Sequence, residues 1–287
     1  MAAPAVDALN KRAEPAELEE PDAGCPNSVL GKARLILGAF EAGAYRLRLT
    51  ELSRRSGVAK ASCYRIAQEL VQWGLLERVG DSYQLGLKIF ELGQRVPISA
   101  VLRVVARPLL VDLFAATRAT VHLAVLEGSH VLYVEKVAGE ANILTHSEVG
   151  GRLPATCTAT GKVLLATRPE GETVVAGLAR TGVARPTSRS TPSTDALRTQ
   201  LVEIRKAGFA VEIEETKVGF GSVAVPVVAA DGTVSAAVST TLPAAQLSTA
   251  RLVPALRATA NGIARAVERR LLERGGTADE LPAVPIH

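Results

Sequence analysis

The sequence predicts an α+β fold in two units, and three observations carry that reading. Residues 28–73 repeat apolar side chains at helical spacing in three short blocks, and residues 74–86 then alternate around a Gly-Asp turn. From Thr120 onward the texture changes to strand-like runs closed by glycine turns, interleaved with helical blocks. Between the two, residues 87–107 keep a helical pattern broken by Pro97, as a connector would.

The elements follow in order. Ser28 is an N-cap residue, and Val29, Ala33, Ile36, Leu37 and Phe40 recur on one face of a helix expected over 28–42, with Gly43 closing it. "LTELSRRSG" gives a second helix capped by Thr50, with Leu52 inward and Gly57 as its stop. A third helix, about 60–73, buries Cys63, Ile66, Leu70 and Trp73 at steps of three and four. Lys60, Ala61, Ser62, Tyr64, Arg65 and Gln68 fall off that seam. "LLERVGDSYQLG" then reads as two strands around Gly80-Asp81. Three helices and a hairpin, two of the helices joined by a short glycine turn, make a winged helix-turn-helix.

The larger unit begins with a helix that starts or kinks at Pro108. A hairpin over residues 120–137 turns at Gly128-Ser129, and a strand and a Gly/Pro-rich loop lead to a helix from about Thr158. A helix over about 194–207 buries Leu197, Leu201 and Ile204 and stops at Gly208. Strands then turn at Asp231-Gly232, and a last helix, about 248–270, carries Leu252, Leu256, Ile263, Val267 and Leu271. The sheet is expected to be mainly antiparallel.

Charge narrows the function. The tail to Asn27 has six acids against Lys11 and Arg12, and it lacks apolar periodicity, so it is expected to be a disordered acidic tail. Residues 28–80 carry nine bases against four acids, within a net charge of only +4. A helix entering the major groove reads bases with its N-terminal residues, and Lys60, Ser62, Tyr64 and Arg65 offer the donors for bases and phosphates. Double-stranded DNA is therefore the expected partner; a protein-docking module or a merely amphipathic helix is the competing reading. Three scattered cysteines and four histidines make no metal-ligand spacing, so neither metal nor cofactor is expected. No apolar run reaches a membrane span and no signal-peptide core precedes the first helix, which points to the cytoplasm.

The chain resembles the IclR family of bacterial transcriptional regulators over residues 28 to about 271. The matching stretches include "LTELSRRSGVAKASCYRI", "WGLLERVGDSYQLGLKIFELG", "ARPLLVDLFAATRATVHLAVLEG", "VGGRLPATCTATGKVLLA" and "GFGSVAVPVVAADGTVSAAVS". The resemblance implies a DNA-binding unit over 28–88, a helical linker over 89–107, and a GAF-like effector-binding domain over 108–271, with a tail over 272–287. It implies a repressor, assembled as a homodimer or homotetramer, whose operator binding answers to a small molecule. Carried over position by position, the effector pocket takes Ala159, Thr160, Glu212, Ser222, Ser239 and Thr241. Glu212, Ser222 and Thr241 stand where the family's pattern has Asp, Cys and Ser.

Physical chemistry favours the same kind of site. The start of the helix expected over 158–168 presents backbone N–H groups that suit an anion, and the hydroxyls of Ser222, Ser239 and Thr241 suit a carboxylate or carbonyl oxygen. An ionised Glu212 would repel an acid, so it is either protonated by burial or bonded to a ligand hydroxyl or amine.

Enzyme readings are weaker. "TATGKV" lacks the first glycine and the final Ser/Thr of a P-loop, and "GFGSV" lacks the G-x-S-x-G elbow. A Cys157–imidazole pair with His122 or His146 is imaginable, but nothing in the sequence joins them. No catalytic residue is assigned. The alternatives are a GAF-like sensor acting through protein contacts and a hydrolase with a regulatory N-terminal module.

Overall fold

The computed structural model describes residues 27–40, 44–96, 99–139 and 147–273. The first 26 residues of the expected acidic tail, Gly43, Pro97, the segment 140–146 and residues 274–287 lie outside the described residues.

The N-terminal unit runs α1 (Val29–Gly38), β1 (Leu47–Arg48), α2 (Leu49–Ser56), α3 (Lys60–Gln72), β2 (Leu76–Val79) and β3 (Ser82–Leu85). The Ser28 hydroxyl accepts from the Gly31 N–H at 2.9 Å, the bond expected of an N-cap. Gly57 closes α2 in the left-handed region, φ 67°, where a Cβ would be strained. Ile36, Leu52, Val58, Cys63, Ile66, Leu70, Leu76 and Tyr83 form one core under the three helices and the hairpin.

Four details differ from the sequence reading. α1 is shorter, ending at Gly38 with Ala39 as its C-cap. Thr50 does not cap α2; Arg48 holds that position without a side-chain bond, because the chain enters the helix directly from β1. That strand, two residues long, pairs antiparallel with β3 and makes the wing three-stranded. Trp73 is 61% exposed rather than on the seam. α3 stops at Gln72, the Leu75 N–H bonds back to the Leu70 carbonyl, and Leu76 fills the core instead.

α4 (Leu87–Gln94) follows, and a π-helical turn, Ser99–Arg103, runs straight into α5 (Val104–Thr117). Pro108 therefore lies inside α5, not at its start; the irregularity is taken up one turn earlier, in the wider π turn.

The C-terminal unit contains β4 (Thr120–Glu127), β5 (His130–Val137), β6 (Arg152–Pro154), α6 (Ala159–Thr167), α7 (Gly171–Thr181), α8 (Thr194–Ala207), β7 (Ala210–Ile213), β8 (Phe220–Val228), β9 (Val234–Pro243) and α9 (Thr249–Glu273). The sheet has the order β6-β5-β4-β9-β8-β7, and each neighbouring pair is antiparallel. Alternation along the strands gives the sheet two unlike faces. Val121, Leu123, Val223, Val225 and Val238 pack with α5 and α9 into one core. Ala124, Ala210, Ala224 and Ala237 pack with α6 and α8 into the other. Small side chains on that second face let α6 lie close to the strands. α6 also packs tightly on the 3-10 turn Ala155–Cys157 that precedes it: a Cβ on Gly161 would meet the Ala155 backbone at 2.3 Å. The architecture is α+β, and among the described residues no helix is long and apolar enough to cross a membrane.

Candidate functional site

The first site is the exposed face of α3. Lys60, Ala61, Tyr64 and Arg65 are exposed, and Ser62 and Gln68 are half-buried. Gln68 is partly committed inward: its amide donates to the Tyr83 hydroxyl at 3.2 Å and ties α3 to the wing. On α2, Glu51 accepts from Arg54 and Arg55, and those hydrogen bonds hold its carboxyl down at about 2. In the wing, Gly80 turns at φ 64°, and Arg48 pairs with Asp81 at 3.0 Å. Cys63 belongs to the buried side of α3, where burial pushes its thiol up.

The second site lies between α6 and the alanine-lined face of the sheet. Thr158 stands just before this helix rather than opening it as the sequence predicts, and caps α6 by accepting from the Gly161 N–H at 3.0 Å. Antiparallel register sets Glu212 opposite Ser222, and Ser222 opposite Thr241. Their side chains close a chain of hydrogen bonds. The Ser222 hydroxyl donates to Glu212 Oε1 at 2.9 Å and lies 2.9 Å from Thr241 Oγ1. Glu212 Oε2 accepts from the Glu215 N–H at 3.0 Å. Glu212 is only 2% exposed, and burial pushes its carboxyl up to about 7 against the pull of those donors.

One residue pair along, on the same face, Ser239 stands opposite His122. Ala159 opens α6 and is buried in the core. Thr160 follows it, and its buried hydroxyl has no hydrogen bond of good geometry. Register thus puts Glu212, Ser222, Ser239 and Thr241 on one face of the sheet, and Ala159 and Thr160 open α6, which packs on that face.

Several neighbours escaped the sequence reading. Lys162 is 1% exposed and paired with Glu215 on the chain leaving β7. Glu215 also accepts from the Thr191 N–H at 3.1 Å and the Thr191 hydroxyl at 3.0 Å. Buried and paired, Lys162 presents no exposed ammonium to a phosphate, which counts against the P-loop reading. His122 is buried, its Nε2 lies 2.6 Å from Ser147 Oγ, and burial with the Lys136 charge presses its imidazole down to about 3. Tyr133 tilts against it with ring centroids 5.1 Å apart, and burial raises its phenol. The Cys157 thiol donates to the Pro154 carbonyl at 3.5 Å and is pushed up to about 12 by burial. His122 is thus engaged by Ser147, and Cys157 by Pro154, not by each other; His146 lies outside the described residues. No group of side chains fit to hold a metal occurs among the described residues.

A winged helix-turn-helix joined to a sheet domain with a buried, partly unsatisfied polar site defines a DNA-binding regulator under small-molecule control. The chain belongs to the IclR family. The IclR helix-turn-helix domain matches residues 29–80, and the bacterial transcriptional regulator IclR C-terminal domain matches residues 95–267. Among curated relatives, the HTH-type transcriptional regulator KdgR of Escherichia coli is 35% identical over 206 residues, 71% of this chain and 78% of that one. XynR of the same organism is 33% identical over 212 residues, covering 72% and 83%. The Pca regulon regulatory protein of Pseudomonas putida is 30% identical over 230 residues, 79% of each. Among solved structures, an IclR homolog from Microbacterium hydrocarbonoxydans complexed with 4-hydroxybenzoate superposes with a TM-score of 0.77 at 27% identity. It covers 84% of this chain and 100% of its own. The Thermotoga maritima IclR gives 0.65 at 28% identity over 83% and 98%. The protein is an effector-controlled, DNA-binding transcription regulator.

Proposed function

We propose that this regulator is a repressor that grips its operator as a homodimer or homotetramer and lets go when a small organic acid, or a compound with a carbonyl and a hydroxyl, occupies the α6 face. The carrying observation is that Lys60 and Arg65 stand exposed on α3 and make no hydrogen bond or ion pair among the described residues. Two free cations at the start of a recognition helix suit phosphate and guanine, with Ala61, Ser62 and Tyr64 completing the reading edge and Gln68 steadying the wing.

Pairing of copies is supported by α4. None of its residues is buried, and Leu87 and Phe90 are 78% and 65% exposed, an apolar face that a second chain would cover. In this reading residues 28–88 bind DNA, 89–107 link, and 108–271 sense the effector through Ala159, Thr160, Glu212, Ser222, Ser239 and Thr241. The ligand held by the Microbacterium relative, a hydroxy acid, supports the effector class. The protein works in the cytoplasm, and its sheet domain binds without turning its ligand over.

The test is a mobility shift with the DNA flanking the protein's own gene, with and without a panel of small organic acids. Retarded complexes that an acid releases are expected. No retardation at low salt would sink the proposal.

A further inference from the structure

Lys136 stands on the same face of the sheet as the effector residues, yet no part of that site has used it. It lies on β5 directly opposite His122 of β4, which in turn lies opposite Ser239 of β9. Directly opposed side chains on one sheet face are neighbours, so Ser239, His122 and Lys136 form a row. Glu135, the preceding residue, faces the other way and is held by Arg103 and Arg107 at 3.4 and 3.0 Å. The Lys136 ammonium makes no hydrogen bond or ion pair among the described residues; partial burial presses its pKa down, and the Glu148 carboxylate pulls the other way without bonding it. A half-buried cation with no directly bonded partner is costly unless something anionic joins it.

The opposite end of the site has the opposite character. Glu212 is an acid already supplied with two donors, from Ser222 and the Glu215 N–H. An effector carboxylate placed there meets a carboxyl group. The Thr160 hydroxyl, buried with only the Tyr133 phenol beside it, and the buried Ser239 hydroxyl, which makes no hydrogen bond among the described residues, can serve a neutral oxygen. The tilted rings of His122 and Tyr133 lie on the same face of the sheet.

Resting on the reading of the α6 face as the effector site, we infer that Lys136 receives the anionic group of the effector, and that the effector is an acid with a hydroxyl or carbonyl oxygen at its far end, directed to Thr160 and Ser239. Two strand spacings separate β5 from β9, about 10 Å. The reach of the lysine side chain shortens that gap to about the length of a six-membered ring or a short carbon chain. The inference assigns polarity to the site: charge toward β5, neutral oxygen toward β9 and α6.

The experiment uses the full chain and a fixed panel: 4-hydroxybenzoate, 4-hydroxybenzamide, benzoate, pyruvate, 4-hydroxybutyrate and 2-oxoglutarate. Thermal shift selects the acids that stabilise the wild type, and calorimetry measures them on Lys136→Met, Lys136→Arg and Thr160→Val. The expected result is that Lys136→Met weakens the selected acid roughly tenfold to thirtyfold, as loss of a half-buried charge partner does. Lys136→Arg should stay within about threefold of wild type. Where 4-hydroxybenzoate is selected, its uncharged amide should be insensitive to Lys136→Met. If Lys136→Met binds the acid like wild type while Thr160→Val loses it, the polarity is overturned and the site reading survives. If neither variant changes binding, or no acid in the panel stabilises the wild type, both the inference and the site reading fall.

Discussion

Replacing Glu212 by Gln should remove a pH dependence that the wild type carries. Glu212 is 2% exposed, and its carboxyl is raised by burial from 4.5 to about 7 in the folded protein. A folded value above the unfolded one means that the native state binds the extra proton between those limits. The stabilisation is complete below about pH 4.5 and is lost as pH rises through about 7. A rise of that size corresponds to roughly 3 kcal/mol. Other groups titrate in the same range with the opposite sense. His122 is pressed down to about 3, so its contribution is present at neutral pH and is lost as pH falls below its ordinary 6.5. The comparison must therefore be wild type against Glu212→Gln at each pH. Urea denaturation at pH 5 and pH 8 provides it. Relative to wild type, the glutamine variant should gain about 2.5 kcal/mol between those two values, because a neutral amide has nothing to lose. A difference that stays constant within about 0.5 kcal/mol, roughly the error of such measurements, would refute the placement of Glu212 in an environment dry enough for burial to outweigh its two donors.

The remaining predictions concern both sites. Arg65→Ala should weaken operator binding by about 1–3 kcal/mol if Arg65 holds a guanine, with relaxed preference at one base pair. If it holds phosphate, binding should fall evenly across sequences and the salt slope should shrink; unchanged affinity after removing both Lys60 and Arg65 would exclude α3 from the groove. Ser222→Leu removes a donor to Glu212 and adds bulk beside Thr241, so it should bind operator normally and ignore the effector in gel shift and thermal shift; a wild-type response would remove Ser222 from the pocket. Lys162→Met should cost about 3 kcal/mol, the low end for breaking a buried ion pair, since Glu215 keeps its two donors from Thr191. Thermal denaturation within a degree of wild type would show that the pair contributes nothing.

What the sequence made legible was local. Ser28 as a cap and Gly57 and Gly208 as stops depend on bonds three or four residues away, so spacing alone finds them. Elements without a local signal were missed. β1 is two residues long and exists because β3 pairs with it. α7 buries only Gly171 and Val175, too narrow a stripe to stand out. Trp73 fits the helical period but falls beyond the helix, where Leu76 takes the core position.

The sensing site divides in the same way. Its carried-over residues came from resemblance, while their mutual bonds came from register: Glu212, Ser222 and Thr241 meet only because β7, β8 and β9 align them. Lys162 and Glu215 are 53 positions apart, and no periodicity joins them. Lys136 and His122 are brought opposite each other just before the irregularity at Leu123/Ala124, where the register shifts by one residue. A displacement of one residue would turn Lys136 to the other face, so no pattern within β5 alone assigns its side.

The central claim is that ligand and DNA are coupled through one molecule. Calorimetry of the stabilising acid against the free protein and against its operator complex tests it most directly. Linkage requires that the factor by which operator changes acid affinity equal the factor by which acid changes operator affinity. The account predicts a common factor of at least about fivefold, with acid binding weaker in the operator complex. Identical acid affinity with and without operator, both sites being occupied, would contradict it.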